Sequence, residues 1–335
     1  MTLLLSFLVA VAIALVLTYP LRLLALRFGI MDRPGPRKGH AEPVPYLGGL
    51  AIFAGAAVSI SVFQPAEWDI LALLGLVALI GLVDDVRYLP VWIKLIGEVA
   101  IAASAVALGF SWNVTDSPEL NGGLAIIWIV GLTNSFNLLD NMDGLASTAA
   151  ACALVALALI VPSSASLALP LAGATVGFWF VNRPQARMFM GDAGSLMLGF
   201  GVALCSIGAA DTERGLHSLV ILAFPLALAI FDTSLVIASR LATGRPIQLG
   251  GQDHFSHRLR LLGWSPYQIL AAAVAGSFTG AACASLALSF PNPQAWLALP
   301  LGVIFVAAWA GLLRVDPYVV GAHPQVEVVR EQRRG

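Results

Sequence analysis

Apolar residues come in long runs broken by short polar stretches, and the breaks carry most of the charge. A membrane-crossing helix needs about 20 apolar residues in a row, with a range of roughly 17–25. On that measure the chain predicts eleven spans, near residues 2–25, 46–64, 68–84, 91–110, 121–137, 145–162, 165–181, 193–210, 216–238, 267–289 and 294–314. The first run begins at Thr2 with no basic segment before it and continues to about Arg22. It is too long and wrongly flanked for a cleaved signal peptide, and reads as the first span. The expected fold is an all-α polytopic membrane protein with about eleven helices. A single transmembrane domain would cover residues 1–314, and a polar cytoplasmic tail would cover 315–335.

The polar breaks also give an orientation. An odd number of spans puts the termini on opposite sides. Every Lys and Arg except Arg214 falls on one set of alternate loops or near their mouths. Cytoplasmic loops hold such an excess, so this face is cytoplasmic, the N-terminus lies outside and the C-terminus inside. The opposite loops, around Glu67-Trp68-Asp69, Asp116–Glu119 and Asp211–Glu213, are short and mostly acidic. Composition agrees. Of 335 residues 59% are hydrophobic and 11% charged, against about 25% charged in soluble domains. The net charge of −1 speaks against a nucleic-acid partner. Cys152, Cys205 and Cys283 stand far apart in apolar runs without metal-ligand spacing, and read as packing residues.

Five polar clusters and one isolated acid remain on or near the cytoplasmic face. The first loop holds Asp32-Arg33-Pro34-Gly35-Pro36-Arg37-Lys38-Gly39-His40. It is either a stiff basic turn that orients the chain or a phosphate-contacting loop built on Arg37 and Lys38. Asp84 and Asp85 end the third run, with Lys94 shortly after. Adjacent carboxylates repel one another and are costly at a membrane boundary. Either solvent tolerates them or they serve a divalent cation such as Mg²⁺, which takes one or two carboxylates together with substrate phosphates. Asn134, Asn137, Asp140 and Asp143 follow at steps of three and close on Gly144. Three such steps in an unbroken helix would turn Asn134 and Asp143 to opposite sides. The helix is therefore expected to end near Asp140–Asn141, with a turn at Met142–Gly144 bringing Asp143 back.

The fourth cluster joins Asn182-Arg183-Pro184 and Arg187 to Gly191-Asp192-Ala193-Gly194-Ser195. Asp192 or Ser195 could cap the eighth helix, a place that also suits phosphate. The fifth is the long loop from Arg240 to Trp264, with Arg245, Asp253, His254, His257, Arg258 and Arg260. No third ligand at zinc spacing accompanies its histidines, and a loop closing over an anionic substrate is the better reading. Asp232 stands alone inside the ninth run. An intramembrane carboxylate is a functional candidate by default, or it ties helices together and orients the long loop.

Carboxylates alone would repel a phosphate, whereas carboxylates holding Mg²⁺ beside Lys and Arg would attract one. The expectation is phosphoryl transfer from a Mg²⁺-bound cytosolic diphosphate to a lipid acceptor, driven by positioning and charge stabilisation. A transporter would place its polar site near the bilayer midplane, and here only Asp232 is deep.

On Asp84-Asp85, the Asn134/Asn137/Asp140/Asp143-Gly144 series, and Asn182 with Gly191-Asp192-x-Gly194-Ser195-Leu196, the chain resembles the polyprenyl-phosphate N-acetylhexosamine-1-phosphate transferase family (glycosyltransferase family 4). The resemblance runs from the first loop to His257-Arg258. It implies transfer of a sugar phosphate from a UDP-sugar donor to undecaprenyl phosphate, with release of UMP, at the cytoplasmic face of a bacterial inner membrane. It implies Asp192 as the principal Mg²⁺ ligand, with Asn137 or Asn182 nearby and Mn²⁺ as an alternative ion. Asp84 would orient or deprotonate the lipid phosphate beside Asp85. Asp140 and Asp143 would contact the nucleotide or order the site. Lys38, Lys94 and Arg258 would contact diphosphate and sugar, with Asn134, His254 and His257 alongside. A homodimer is compatible. The branch that transfers phospho-MurNAc-pentapeptide carries three consecutive histidines, whereas this loop reads Asp253-His254-Phe255-Ser256-His257-Arg258. That is similar to the branch using UDP-GlcNAc for other envelope glycans, many members of which carry a third histidine where Ser256 stands.

Overall fold

The computed structural model describes residues 1–32, 42–64, 67–112, 114–210, 223–248, 250–289 and 294–318. Lys38, Arg37 and most of the first basic loop lie outside the described residues. So do the acidic loop at 211–213, the start of the expected ninth span, and the tail from 319 onward.

The described residues form twelve α-helices. They are α1 (Thr2–Phe28), α2 (Gly48–Phe63), α3 (Trp68–Arg87), α4 (Val91–Ala107), α5 (Pro118–Leu139), α6 (Leu145–Ile160), α7 (Ala165–Asn182), α8 (Gly191–Ala210), α9 (Ala227–Ala242), α10 (Phe255–Leu261), α11 (Pro266–Ser289) and α12 (Gln294–Leu313). All but the short α10 overlap an expected apolar run. Among the described residues the sole strand pairing is a two-residue antiparallel ladder, Met31 opposite Pro45 and Asp32 opposite Val44. Four segments are long and apolar enough to cross a membrane by length and composition: Thr2–Phe28, Pro118–Leu139, Pro162–Asn182 and Pro266–Leu286. The molecule is an all-α membrane protein.

Local chemistry sets the helix ends. Ser117 accepts the Leu120 N–H at the start of α5, with Pro118 in the first turn, where its missing N–H costs nothing. α5 stops at Leu139, and Gly144 takes a left-handed φ of 75° before α6. This matches the expected stop near Asp140 and the turn at Met142–Gly144.

α8 is the axis of the bundle, packed against α2, α3, α5, α6 and α7. Its buried residues include Leu196, Met197, Leu198, Phe200 and Val202. At its N-terminus the neighbours approach backbone to backbone. A Cβ on Gly81 of α3 would stand 2.3 Å from the main-chain carbonyl of Asp192, so only glycine allows this crossing. Outer positions such as Val16, Val62, Ile127 and Ile304 are each more than 60% exposed. A soluble protein would not leave so much aliphatic surface bare, and lipid would cover it.

Candidate active site

The C-terminal turns of α3 and α5 and the N-terminal turns of α4 and α8 meet on one face of the bundle. Asp84 and Asp85 lie in the last turn of α3, Lys94 in the first turn of α4, Asn137 near the end of α5, and Asp192 in the first turn of α8. Four elements distant in sequence thus bring their polar ends together around the α8 N-terminus.

Lys94 sits at the middle. Its Nζ lies 2.6 Å from Asp192 Oδ2 and 3.1 Å from Asp84 Oδ2. The three side chains keep only 14–29% of their surface exposed. Asp192 Oδ1 accepts from Asn137 Nδ2 at 2.8 Å, and the same amide donates to Ser195 Oγ at 3.0 Å. Asp84 also accepts the Leu89 N–H.

Asp85 works from behind. Its two oxygens accept the N–H groups of Asp192 at 2.8 Å and Ala193 at 3.2 Å. A carboxylate from α3 therefore caps α8, satisfying two donors that a helix start leaves open and matching the helix dipole. Sequence alone pointed to Asp192 or Ser195 as the cap. Ser195 instead donates back to Gly191 O. Gly191 has φ 67°, and a Cβ there would stand 2.4 Å from Asp85 Oδ2, so a side chain would push the cap away.

Asp140 faces this group from the turn after α5. Among the described residues no protein donor is bonded to its carboxylate. Burial raises it to a pKa of about 8, helped by the negative charges of Asp192, Asp85 and Asp143. An acid pushed this far toward neutrality is held beside other acids with too little positive charge nearby.

Other candidates turn out to build the walls. Asp143 Oδ2 accepts the N–H groups of Gln185 and Ala186, shaping the α7–α8 connection. Asn182 is 1% exposed, accepts from Gly144 N and Ser147 Oγ, and donates to Met188 O. Its amide is committed to three structural bonds, and it is Asn137 that reaches Asp192. Asn134 donates to Glu98 and to Val130 O. Arg258 is 1% exposed. Its guanidinium donates to the carbonyls of Asp253, Leu312, Leu313 and Val315 and to Ser239 Oγ. That commits most of its donors to the protein, whereas the resemblance implied a contact with sugar or diphosphate. His254 is bonded to Asp232, and its ring lies 5.7 Å from that of His257.

Two features of this region escaped the sequence reading. Glu98 is 3% exposed, and its Oε1 has no partner among the described residues. An acid four residues after Lys94 in an otherwise apolar helix was the available signal. The tail, expected to leave the fold at about Arg314, is docked as far as Tyr318. That hydroxyl donates to Asp253 Oδ1 at 3.0 Å and accepts from Gln252 N at 3.1 Å.

The donor set fits a divalent cation. Among the described residues no three acidic, histidine or cysteine side chains are grouped so that they could hold an ion by themselves. Mg²⁺ seldom needs that, binding through one or two carboxylates while phosphates and water complete its shell. The ammonium of Lys94 occupies a place between two carboxylates where a cation is wanted, and it marks that place.

This constellation defines the class: an all-α membrane protein with a carboxylate, amide and lysine site at the ends of its helices. Known proteins refine it. The glycosyl transferase family 4 profile matches residues 68–210, the segment carrying Asp84 through Asp192. A Bacillus subtilis (strain 168) protein named "Probable undecaprenyl-phosphate N-acetylglucosaminyl 1-phosphate transferase" is 30% identical over 278 residues, covering 78% of each chain. A Mycobacterium tuberculosis (strain CDC 1551 / Oshkosh) decaprenyl-phosphate N-acetylglucosaminephosphotransferase is 29% identical over 352 residues, covering 90% of this chain and 87% of its own. A phospho-N-acetylmuramoyl-pentapeptide-transferase of Lactobacillus gasseri is 30% identical over 260 residues, covering 67% of this chain and 78% of its own. The chain belongs to glycosyl transferase family 4, and is a transferase.

Proposed function

We propose that the protein transfers N-acetylglucosamine-1-phosphate from UDP-GlcNAc to undecaprenyl phosphate. The products are undecaprenyl-diphosphate-GlcNAc and UMP, the first lipid-linked step of a cell-envelope glycan. One observation carries the reading: the Lys94 ammonium held between Asp84 and Asp192 at the α8 N-terminus. It is a cation position of hard oxygens among apolar helices suited to a polyprenyl chain. The relatives named for GlcNAc-1-phosphate transfer supply the donor and the acceptor.

In this reading Asp192 holds Mg²⁺, or Mn²⁺ in its place, with Asn137 beside it. The bound ion neutralises charge on the donor diphosphate. Asp85 keeps the α8 start in place and Asp192 aimed. Lys94 turns from the carboxylates to the diphosphate oxygens, and Lys38 of the first loop adds a second ammonium for them. Asp84 orients the lipid phosphate. A phosphate monoester has a second pKa near 6, so at neutral pH its oxygen is already largely deprotonated. Asp84 therefore positions the nucleophile more than it removes a proton. An oxygen of the lipid phosphate bonds to the β-phosphorus, the bond from that phosphorus to the bridging oxygen breaks, and UMP leaves with the electron pair.

The topology belongs to the same proposal. Eleven helices cross the membrane, the N-terminus lies outside, and the site and the C-terminus face the cytoplasm of a bacterial inner membrane. The meeting of α3 and α5 C-terminal turns with α4 and α8 N-terminal turns on one face is what alternating spans would give. The stoichiometry compatible with this reading includes a homodimer.

One relative favours a second reading, with UDP-MurNAc-pentapeptide or another UDP-N-acetylhexosamine as donor. The test is UMP release by purified protein in detergent with undecaprenyl phosphate, Mg²⁺ and a panel of UDP-sugars. EDTA-sensitive release with UDP-GlcNAc is expected. Release only with a different donor would move the substrate to the second reading, and no release with any donor would overturn the transfer itself.

A further inference from the structure

Asp232 is the carboxylate that the transfer reaction leaves without a task. It sits in α9, is 0% exposed, and is the single acid in that helix. Its Oδ2 lies 2.7 Å from His254 Nδ1, and its Oδ1 accepts the Phe255 N–H at 2.8 Å. One buried carboxylate thus holds two consecutive residues of the histidine-bearing loop. That loop is fixed from other directions as well. Ser256 donates to Asn141, the residue after Asp140. Arg258 holds the end of α12.

An ionised carboxylate only accepts hydrogen bonds, and a neutral imidazole carries one N–H and one lone pair. With Oδ1 already accepting a main-chain N–H, the acceptor character of Oδ2 calls for the proton on His254 Nδ1. The tautomer of a histidine is set by the bond its other nitrogen makes. From this geometry we infer that Asp232 is a positioning residue that fixes His254 in the Nδ1–H tautomer and leaves Nε2 as a hydrogen-bond acceptor in the loop that Ser256 ties to the turn after α5. The partner of Nε2 would be a hydroxyl or N–H donor on the nucleotide-sugar. This last step rests on the proposed transfer reaction, whereas the tautomer does not.

Asparagine at 232 makes the case sharp. It offers one oxygen and one amide NH₂ where aspartate offers two oxygens. If its oxygen keeps the Phe255 N–H, its NH₂ meets Nδ1 and forces the proton to Nε2. The substitution keeps the shape and reverses the tautomer, as the serine protease triad illustrates when its aspartate becomes asparagine.

The experiment is ¹⁵N NMR of the full-length protein labelled at histidine. The chain holds five histidines, and the His254 signal is assigned by its loss in His254→Gln. The expected spectrum has a protonated Nδ1 in the wild type and a protonated Nε2 in Asp232→Asn. Asp232→Asn should also lose roughly 10-fold or more in kcat/KM, chiefly through a raised KM, and Asp232→Glu should restore the Nδ1–H signal at least in part. Wild-type His254 with its proton on Nε2 would overturn the inference without any variant. An unchanged tautomer in folded Asp232→Asn would do the same, as would full activity in a variant whose tautomer has flipped. Because the NMR result needs no turnover, failure of the transfer reading would be seen separately, in the UMP assay.

Discussion

Two polar regions stand at helix ends of the bundle, and both are built from buried acids and bases. Around Arg240 everything is closed. Its Nε lies 2.9 Å from Asp253 Oδ2, with 2% and 1% of the side chains exposed. Burial works to raise the Asp253 carboxyl, but the Arg240 bond and charge, aided by the Tyr318 hydroxyl, hold it below the usual range. Arg245 stacks 3.4 Å over the Tyr318 ring, and Arg258 closes onto carbonyls. Around Lys94 the balance is different. A single ammonium serves both Asp84 and Asp192, while Asp140 has no donor among the described residues. The same residue types make a locked scaffold in one place and an unfinished site in the other. The difference is unmatched negative charge, and that is what a divalent cation would meet.

The first way to break this contrast is to remove the acids of the open region. Asp192→Asn and Asp84→Asn should each cut turnover by roughly 10³-fold or more, with size-exclusion profile and helical content unchanged. A folded Asp192→Asn enzyme of normal rate would sink the ion assignment. Next in size is the closed region. Arg258→Ala should cost about 3 kcal/mol of stability, because it strands buried carbonyls and a hydroxyl. Its Mg²⁺ affinity should be unchanged where the protein remains folded, as checked by thermal unfolding and ion titration. A large loss of ion affinity without loss of stability would place Arg258 in the site after all.

Asp85→Ala tests the seam between scaffold and site. Loss of the α8 cap should lower stability by about 1 kcal/mol and slow turnover by roughly 10-fold through misplacement of Asp192. The last test, read in stability and not in turnover, is Asp140→Asn in metal-free protein. A carboxyl raised to about 8 in the folded state binds a proton that the unfolded chain has released above pH 4. Wild-type stability therefore falls as pH rises through that window and levels off above it. The asparagine variant should melt well above wild type at pH 8.5 and show a much smaller difference near pH 4.5, the rise from the ordinary carboxyl value to about 8 corresponding to at most about 6 kcal/mol. Equal gains at both pH values would show that Asp140 is not under like-charge strain.

What could be seen from the sequence follows from what each residue's job depends on. Apolar runs announced the helices, because lipid or core must cover them. The steps of three from Asn134 to Asp143 announced the end of α5, because an unbroken helix could not keep those residues together. Asn182 and Arg258 looked like ligands from their motifs, yet their partners are main-chain carbonyls and N–H groups brought in by α6, α7 and the end of α12. No sequence pattern marks a carbonyl. Asp85 as the cap of α8 was equally hidden, because the cap and the capped helix are more than 100 residues apart. Asp232 was visible as an oddity, and only its contacts gave it a partner.

The most direct test of the central claim is equilibrium binding of Mn²⁺ by EPR to EDTA-stripped protein, with and without UDP-GlcNAc. The account predicts one site, tightened by the nucleotide-sugar, lost in Asp192→Asn and retained in Arg240→Lys. Binding that survives in Asp192→Asn, or that needs Arg240 and not Asp192, would contradict it.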